Sequence, residues 1–270
     1  MLKKRVAIIG AGKMGGALIE GMLKAGLVSP LNIIAADRDK TKLRTFARQK
    51  IKTTVDNVKA VKWGEVIILS VKPQHLNEVL TRINILPLKF KLFISIAAGI
   101  KTEILEKILG QVRVIRVMPN TPALIGEGMS IVSLGRYARP QDKKIALDIF
   151  SSIGQVIILP EKNMDAVTAL SGSGPAYFFF LMEALMSGGR RLGLSDNISL
   201  KLVLQVARGA ALLAQKSGIP PTKLREMVTS PGGTTEAAFK VLEKAGVKEA
   251  IIKALVAAEQ RSRELSLSDE

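Results

Sequence analysis

Three glycines near the amino end are spaced as G-x-G-x-x-G, at Gly10, Gly12 and Gly15. They follow the apolar run VAII and open an amphipathic, helix-like stretch, KMGGALIEGMLKAG. In such a strand-turn-helix unit the first glycine permits a tight turn, the second lets a pyrophosphate approach the backbone, and the third lets helix and strand pack closely. Free amides at the helix N-terminus then face the anion. The motif predicts binding of a dinucleotide.

The next apolar run, NIIAAD, ends at Asp37, 22 residues beyond Gly15. An acid at this place commonly binds the ribose 2′-hydroxyl of NAD. Arg38 follows directly, and its guanidinium could instead meet the 2′-phosphate of NADP. The pair could also be an ordinary exposed turn. The predicted cofactor is therefore NADP or NAD, with the preference left open.

The stretch SPGGTT, from Ser230 to Thr235, interrupts a part of the chain that otherwise has helical patterns. Pro231 can stop one helix, the glycines can turn the chain, and Thr234 can cap the next helix, TEAAFKVLEKAG. A connector alone would not need all these groups. Glycine amides and hydroxyls at a helix N-terminus form a neutral cradle for a carboxylate. We therefore interpret this loop as a substrate-binding site.

The residue types that are missing exclude several kinds of chemistry. The 270 residues contain no cysteine and one histidine, His75. Disulfide scaffolds, thiolate nucleophiles, cysteine–histidine zinc sites and serine–histidine triads are thereby excluded, and no metal site is predicted. Because His75 closely follows Pro73, we expect it in an exposed loop without a partner.

The net charge of +17 raises the question of nucleic-acid binding. The basic residues are scattered, however, and aromatic residues make up only 4% of the chain, so no stacking platform is visible. We expect a solvated basic surface that attracts anionic small molecules, and no nucleic-acid partner.

The start of the chain and its apolar runs bear on the cellular location. No uninterrupted run of about 18 apolar residues occurs, which predicts that no segment crosses a membrane. The charged lead MLKKR and the apolar run after it resemble a signal peptide, but the run enters the glycine motif and no cleavage site follows. We expect a cytoplasmic protein.

Short β-branched runs that alternate with helical stretches predict the architecture up to about residue 160. Runs of this kind without polar alternation are typical of strands buried on both faces of a parallel sheet. The spacing fits βαβ units, and the closer spacing of the last runs allows an antiparallel edge. We predict an α/β fold, with an N-terminal Rossmann dinucleotide-binding domain over residues 1–160.

After Pro160 the pattern is helical only, so we predict a second, all-α domain over residues 161–270. One of its helices, SLKLVLQVARGAALLAQKSG, has only a thin polar stripe. A helix this apolar needs more cover than a small helical domain provides. The helical domain is therefore predicted to form a subunit interface, which makes the protein a homo-oligomer.

A dinucleotide in a parallel sheet lies at the carboxyl ends of the strands, where three further loops follow predicted strands. Val71, Lys72 and Pro73, and then Ala97 and Ala98, offer fixed or small backbone beside a cofactor, and Asn120 offers hydrogen bonds. The residues of each of these loops could equally serve only to form an ordinary turn.

Six motifs in this order resemble the pyrroline-5-carboxylate reductase family: IGAGKMG, SVKPQ, SIAAGI, MPNTPALIGEGM, SGSGPAYFF and MVTSPGGTT. The last two are specific, whereas the first is shared by many dinucleotide folds. The resemblance implies hydride transfer from NAD(P)H to the cyclic imine 1-pyrroline-5-carboxylate, which makes L-proline in the final step of its biosynthesis. It also implies a Rossmann domain followed by a helical dimerisation domain, with a dimer or a ring of five dimers.

The resemblance also assigns roles to residues of this sequence. Thr235 is aimed at the ring nitrogen of the substrate as the catalytic residue, and the small residues of SGSGPAYFF lie under the nicotinamide and substrate. The substrate-binding residues are Ser230, Gly232, Gly233, Thr234 and Thr235. The cofactor-binding residues are Gly10, Ala11, Gly12, Lys13, Met14, Gly15, Asp37, Arg38, Asn57, Val71, Lys72, Pro73, Ala97, Ala98 and Asn120. Asp37 departs from the family pattern, because a hydroxyl residue at this turn suits a 2′-phosphate better.

Two competing interpretations remain. The first is another imine reductase or a β-hydroxyacid dehydrogenase of similar domain order, although the latter carry a catalytic lysine in the first long helix, which has none here. That absence favours imine reduction, which does not need a base. The second is a non-catalytic nucleotide sensor or RNA-binding protein that uses the basic surface.

Overall fold

An eight-stranded, mostly parallel β-sheet forms the centre of the amino-terminal part of the protein, in a computed structural model that describes residues 2–267. The strand order is β3-β2-β1-β4-β5-β6-β7-β8, so the direction of winding reverses between β1 and β4. The strands are β1 (Val6–Ile9), β2 (Ile33–Ala36), β3 (Lys52–Thr54), β4 (Val66–Leu69), β5 (Leu92–Ser95), β6 (Arg113–Met118), β7 (Gly128–Leu134) and β8 (Gly154–Ile158).

The central strands are the apolar runs that the sequence pattern indicates. Every residue of β1, β2, β4 and β5 is buried, as expected for strands with helices on both faces. Strand β3 was not predicted, because its residues KTT are polar and it pairs only with β2 at the edge of the sheet.

The last two strands confirm that the sheet has an antiparallel pair. Strand β7 runs antiparallel to β6, with Val117 opposite Val132, and β8 then runs parallel to β7. A helix, α6 (Pro140–Ser151), makes the crossover between β7 and β8.

Six helices cover the two faces of the sheet and enclose one hydrophobic cluster on each. The face that carries α1, α2 and α6 buries Leu18, Phe46 and Phe150, and the opposite face buries Leu76 and Leu105 from α4 and α5. The helices before α6 are α1 (Lys13–Lys24), α2 (Lys40–Arg48), α3 (Asn57–Trp63), α4 (Pro73–Ile83) and α5 (Thr102–Leu109). This arrangement confirms the predicted Rossmann fold.

A partly buried ion pair fixes the segment that leaves the sheet after β8. Arg116, in the middle of β6, is 4% exposed and donates to Oε1 of Glu161 over 3.1 Å. The same carboxylate accepts the amide and the hydroxyl of Thr102, at 2.9 and 2.5 Å. Because all three donors converge on one side chain, the chain direction at residue 161 is set by the sheet.

The chain forms two compact units. The first contains the described residues up to Ser173 and those from Ala258 onwards, and the second is Gly174–Ala257. Residues after 160 join the first unit partly through hydrogen bonds such as that from Ser262 to Asp165, at 2.7 Å. The domain boundary predicted after residue 160 stays a prediction, because compactness does not define the limits of a functional domain.

The carboxyl-terminal part is helical throughout, as predicted. Its long helices agree with the sequence patterns, whereas α10 and a π-helical turn at Thr168–Gly172 were not predicted. The helices are α7 (Met164–Val167), α8 (Gly174–Arg191), α9 (Asp196–Ser217), α10 (Pro221–Met227), α11 (Thr234–Lys244) and α12 (Val247–Leu267).

Apolar side chains of α8 and α9 remain exposed in the single chain. Phe178 and Phe180 are 63% and 73% exposed, and Val206 on α9 is 64% exposed. An apolar surface of this extent marks an interaction site.

By length and hydropathy α9 could cross a membrane, and it is the one helix of the described residues of which this is true. The sequence shows no unbroken apolar run here because Lys201 and Arg208 interrupt α9. The expectation that no segment crosses a membrane stays a prediction. One such helix is weak support for a membrane segment, since a helix covered by protein can have the same composition.

We expect Asp142→Ala to lower the free energy of unfolding by about 2 to 4 kcal/mol, because it leaves a partly buried cation unpaired. Asp142 on α6 is 1% exposed, and its carboxylate binds the Arg113 guanidinium at 2.8 Å and the Arg139 amide at 2.9 Å. Urea denaturation measures the change. Asp148→Ala removes the exposed pair of the same helix with Lys144, which is 3.6 Å away, and we expect less than about 0.5 kcal/mol. Equal losses in the two variants would contradict the prediction.

Candidate active site

A cavity of about 630 Å³ opens at the carboxyl ends of β1, β2 and β4, where the strand order reverses. Parallel sheets bind ligands at this point. Nine predicted cofactor residues line it: Gly10, Gly12, Lys13, Met14, Asp37, Arg38, Asn57, Val71 and Lys72.

The three glycines have the geometry that a bound pyrophosphate requires. Gly10 has φ +98°, and a Cβ there would overlap the carbonyl oxygen of Ser70. A Cβ on Gly15 would overlap the carbonyl oxygen of Gly10, so α1 can begin directly behind β1 only with glycine here. A Cβ on Gly12 would meet no atom within 4 Å. The backbone at Gly12 therefore borders open space at the start of α1, and these residues fit a dinucleotide.

The carboxylate of Asp37 is already engaged. Its Oδ1 accepts the Asp39 amide at 2.9 Å, and its Oδ2 lies 3.6 Å from the Lys42 ammonium. Asp39 in turn caps α2. Its hydrogen bonds from the hydroxyl and the amide of Thr41 hold the pKa of the Asp39 carboxyl below its ordinary value.

His75 lies in the first turn of α4 and lines the cavity, where its Nε2 is 3.1 Å from an Nη2 of Arg38. The expectation of a loop histidine without a partner was therefore wrong. Pro73 begins a helix here rather than a loop, since proline suits the first helical turn. Arginine can only donate, so His75 accepts through Nε2 and carries its proton on Nδ1.

The other predicted cofactor residues lie outside the wall of this cavity. Ala11 is buried in the glycine turn, Pro73 is the first residue of α4, and Ala97 and Ala98 follow β5 at the same edge of the sheet. The Ala97 amide donates to the Ser95 hydroxyl at 3.3 Å.

Asn120 connects three segments of the chain. Its Oδ1 accepts the Met129 amide at 2.8 Å, and its Nδ2 donates to the carbonyl of Ser171 at 3.2 Å. The side chain thus ties the end of β6 to the start of β7 and to the π-helical turn before α8. These hydrogen bonds hold the motif MPNTPALIGEGM next to the motif SGSGPAYFF in the folded chain.

In the second compact unit, SPGGTT forms a tight turn before α11. The Gly233 amide donates to the Ser230 carbonyl at 3.0 Å, and Gly232 has φ +72°. Proline followed by a residue with positive φ defines a type II turn. The positive φ makes Gly232 a requirement of the turn itself, whereas a Cβ on Gly233 would overlap only the Ser230 hydroxyl, which can rotate away.

Two amides that we predicted to bind a ligand are already hydrogen-bonded within the protein. The Gly232 amide donates to Oε2 of Glu236 at 2.7 Å, and the Gly233 amide closes the turn. Gly233, and not Thr234, is the N-cap of α11, so the predicted capping role of Thr234 was wrong. The first amides of the helix, from Thr234 to Glu236, have no intrahelical acceptor. With the cap at Gly233, Glu236 is the third helical residue, where an acid commonly binds an amide before the helix.

Sequence reasoning missed several cavity residues, notably Lys42, His75, Glu78 and Arg82. Each lies on α2 or α4, the helices that follow β2 and β4, the two strands that flank β1. A search of the first turns of helices that follow parallel strands would have found Lys42 and His75, because these turns point to the carboxyl edge of the sheet.

Two glycine substitutions separate folding from cofactor binding. We expect Gly12→Val to weaken NADP⁺ binding about tenfold or more, because the side chain fills the space next to the helix N-terminus, while the free energy of unfolding falls by less than about 1 kcal/mol. Gly15→Ala is expected to lower that energy by about 1 to 3 kcal/mol through overlap with the Gly10 carbonyl. Calorimetric titration and urea denaturation measure the two effects, and a Gly12→Val protein with unchanged binding would contradict the assignment.

Both parts of the chain match models of known protein families. Residues 161–265 match the family model described as pyrroline-5-carboxylate reductase dimerisation, and residues 5–99 match the one described as NADP oxidoreductase coenzyme F420-dependent. Both matches agree with the fold predicted for these parts.

Similar proteins cover nearly the whole chain. A pyrroline-5-carboxylate reductase of Methanosarcina acetivorans is 43% identical over 98% of this chain and 99% of its own length. The structure of the Coxiella burnetii pyrroline-5-carboxylate reductase is similar with a TM-score of 0.91 at 37% identity, covering 98% of this chain and 99% of that one. The structure of the Plasmodium falciparum pyrroline carboxylate reductase with NADP bound has a TM-score of 0.89 at 33% identity, with the same coverage. The chain therefore belongs to the pyrroline-5-carboxylate reductase family.

Proposed function

We propose that the protein reduces 1-pyrroline-5-carboxylate to L-proline with NAD(P)H, in the last step of proline biosynthesis. The observation that carries this proposal is the similarity to reductases of that name over nearly the whole chain. The glycine turn at the head of α1 and the turn before α11 supply the two anion-binding N-termini that such a reaction requires.

The cofactor would be held by the glycine turn, with its pyrophosphate at the N-terminus of α1 and its adenosine toward Asp37, Arg38 and Asn57. NAD(P)H, when bound, supplies a hydride. Lys13 and Lys72 line the same cavity and add positive charge near the phosphates.

The substrate carboxylate would bind at the N-terminus of α11. The amides of Thr234, Thr235 and Glu236 lack intrahelical acceptors and can donate to a ligand. The hydroxyls of Ser230 and Thr234, in the same short segment, would be further donors. The partial positive charge of a helix N-terminus favours a carboxylate there. The Gly232 and Gly233 amides have partners within the turn, so in this proposal they shape the site rather than bind the ligand.

The reaction asks little of acids and bases, which suits a chain with one histidine and no cysteine. A protonated imine is already an electrophile, so the protein has to orient it and exclude wrong approaches. Thr235 would hydrogen-bond the ring nitrogen and so fix the face of the ring. Positioning of this kind lowers the activation free energy by about 7 to 11 kcal/mol in favourable cases.

The nearest alternative is reduction of another cyclic imine, and a β-hydroxyacid dehydrogenase is disfavoured. Helix α8 contains no lysine, and alcohol oxidation needs a base that this helix does not supply.

The helical part is proposed to form the dimer, and the dimers a ring of five. The exposed apolar residues of α8 and α9 support an interface, and the match of residues 161–265 to a dimerisation family supports the predicted boundary after residue 160. We propose a cytoplasmic enzyme with no nucleic-acid or membrane partner, in which a second chain covers the apolar surface of α9.

Consumption of NADPH or NADH with 1-pyrroline-5-carboxylate, followed at 340 nm, tests the function. Ring imines with one carbon fewer or more test the substrate size. We expect turnover to be fastest with the five-membered ring, and no consumption with either cofactor would sink the proposal.

We expect Thr235→Ala to lower kcat/KM by roughly 10- to 100-fold, because the variant loses one hydrogen bond to a charged nitrogen. Thr235→Ser keeps the hydroxyl and should recover most of the rate. Thr222→Ala, in the first turn of α10, is the matched control. Wild-type kcat/KM in Thr235→Ala would show that Thr235 has no catalytic role.

Glu236 places a negative charge at the proposed carboxylate site, so we expect Glu236→Gln to lower KM for the substrate about two- to fivefold with kcat unchanged. The amide oxygen of glutamine can still accept the Gly232 amide. Glu249→Gln, in the first turn of α12, changes the same charge at another helix and should leave KM unaltered. A raised KM in Glu236→Gln would contradict a carboxylate site at this N-terminus.

A further inference from the structure

We propose that Glu161 and Ser262 are positioning residues, which hold the loop after β5 in the shape that receives the nicotinamide half of the cofactor. This loop is residues 96–101, between β5 and α5. The proposal deepens the proposed function and rests on its nicotinamide cofactor. Neither residue belongs to the wall of the cavity described above, so both would act through the loop and not on the cofactor itself.

The order of the strands places this loop next to the cavity, on the side away from Asp37. The cavity extends from the end of β2, past the glycine turn after β1, to the end of β4. With the adenosine at β2 and the pyrophosphate at α1, the rest of a dinucleotide continues past β4, and the next strand in the sheet is β5. The nicotinamide half would therefore meet the backbone of Ala97 and Ala98.

The loop is held at its start by Ser95 and in its middle by the end of α12. The buried Ser95 hydroxyl accepts the Ala97 amide at 3.3 Å. Gly99 has φ +80°, and a Cβ built on it would lie 3.5 Å from the carbonyl oxygen of Leu265. The last turns of α12, which belong to the first compact unit, thus lie against the loop.

The end of the loop is held by Glu161, which takes the place of a local helix cap. The residue before α5 is Lys101, whose ammonium can only donate and so cannot accept the first amides of the helix. The Glu161 carboxylate accepts the amide and the hydroxyl of Thr102 instead, and the buried Arg116 fixes that carboxylate against β6. A negative charge suits a helix N-terminus. The point at which the loop ends and α5 begins therefore depends on a tertiary contact.

Ser262 connects the two supports. Its hydroxyl donates to Oδ1 of Asp165 at 2.7 Å, and only 4% of Ser262 is exposed. Asp165 lies on α7, directly after the turn that Glu161 begins. The short segment 161–165 therefore contacts the start of α5 through Glu161 and the end of α12 through Asp165. Beyond Ser262, α12 meets the loop at Leu265.

Calorimetric titration with NADPH and with 2′-phospho-ADP-ribose tests the proposal without the imine. The second ligand is NADPH without its nicotinamide. The ratio of its dissociation constant to that of NADPH therefore measures what the nicotinamide contributes to binding. A variant that only destabilises the fold, or that disturbs the adenosine end, changes both constants equally and leaves this nicotinamide ratio unaltered.

We expect Glu161→Leu to lower the nicotinamide ratio about three- to tenfold, because it releases the end of the loop. Glu161→Gln keeps an acceptor oxygen and should restore most of the ratio. Asp142→Ala is the matched control, since the Asp142 carboxylate also pairs with an arginine of β6, Arg113, and accepts an amide, but at the start of α6. An unchanged ratio in Glu161→Leu, or an equal fall in Asp142→Ala, overturns the proposal.

Thr102→Val tests the same contact without removing the ion pair, in case Glu161→Leu does not fold. Valine keeps the shape of threonine and removes only the hydroxyl that donates to Glu161. The nicotinamide ratio is expected to fall about two- to fivefold, and Thr102→Ser, which keeps the hydroxyl, should restore it. A Thr102→Val protein with the wild-type ratio contradicts the role of Glu161.

Ser262→Ala is expected to lower the nicotinamide ratio about two- to fivefold, because the end of α12 is no longer bound to Asp165. Asp165→Asn retains an acceptor oxygen and should keep the wild-type ratio. Ser152→Ala is the control, since it removes a hydroxyl that donates to the Ile149 carbonyl at the end of α6. No fall in Ser262→Ala, or the same fall in Ser152→Ala, contradicts the role of Ser262.

The two proposals fail separately. If 1-pyrroline-5-carboxylate is reduced but the nicotinamide ratio is the same in all variants, the proposed function stands and the positioning role is wrong. If the ratio falls as expected and no imine is reduced, the positioning role stands and the proposed function is wrong. A wild-type protein that does not bind NADPH overturns both.

Discussion

The close approach of Gly15 to the carbonyl of Gly10 is the contact on which the dinucleotide site depends. Any side chain at residue 15 would overlap that oxygen, so α1 could not begin directly behind β1. The N-terminus of α1 would then move from the edge of the sheet where β2 and β4 also end. The loops after these strands bring Asp37, Arg38 and Lys72 to the same cavity, and their placement matters only if the helix stands where it does.

In the proposed function, two helix N-termini with different surroundings would bind two different anions. The N-terminus of α1 lies in a wall with an excess of cations, which suits the many charges of a dinucleotide. The N-terminus of α11 follows a turn of neutral residues, and Glu236 already binds the Gly232 amide of that turn. A single carboxylate is the better match there, because it needs few donors and tolerates little competition. In that proposal, the side chains beside each helix N-terminus decide whether it binds a cofactor or a small acid.

The sequence allowed the sheet, its order of elements and the glycine turn to be predicted, because buried parallel strands and glycine spacing are local signals. The polar edge strand β3 has no such signal, and the π-helical turn at Thr168–Gly172 depends on contacts made elsewhere. The turn at SPGGTT was recognised, but the partner of the Gly232 amide was not, since it depends on where α11 begins. His75 was misjudged because its contact with Arg38 exists only once β2 and β4 lie on either side of β1.

The exposed aromatic residues of α8 belong to a chain that carries a charge of +17. When such chains associate, their charges repel one another while the apolar surfaces attract. Salt screens the repulsion between chains and equally screens the attraction of the cavity for its anionic ligand. Ionic strength therefore acts in opposite directions on assembly and on cofactor affinity. The conditions that favour the most complete oligomer are not those that favour the tightest nucleotide binding.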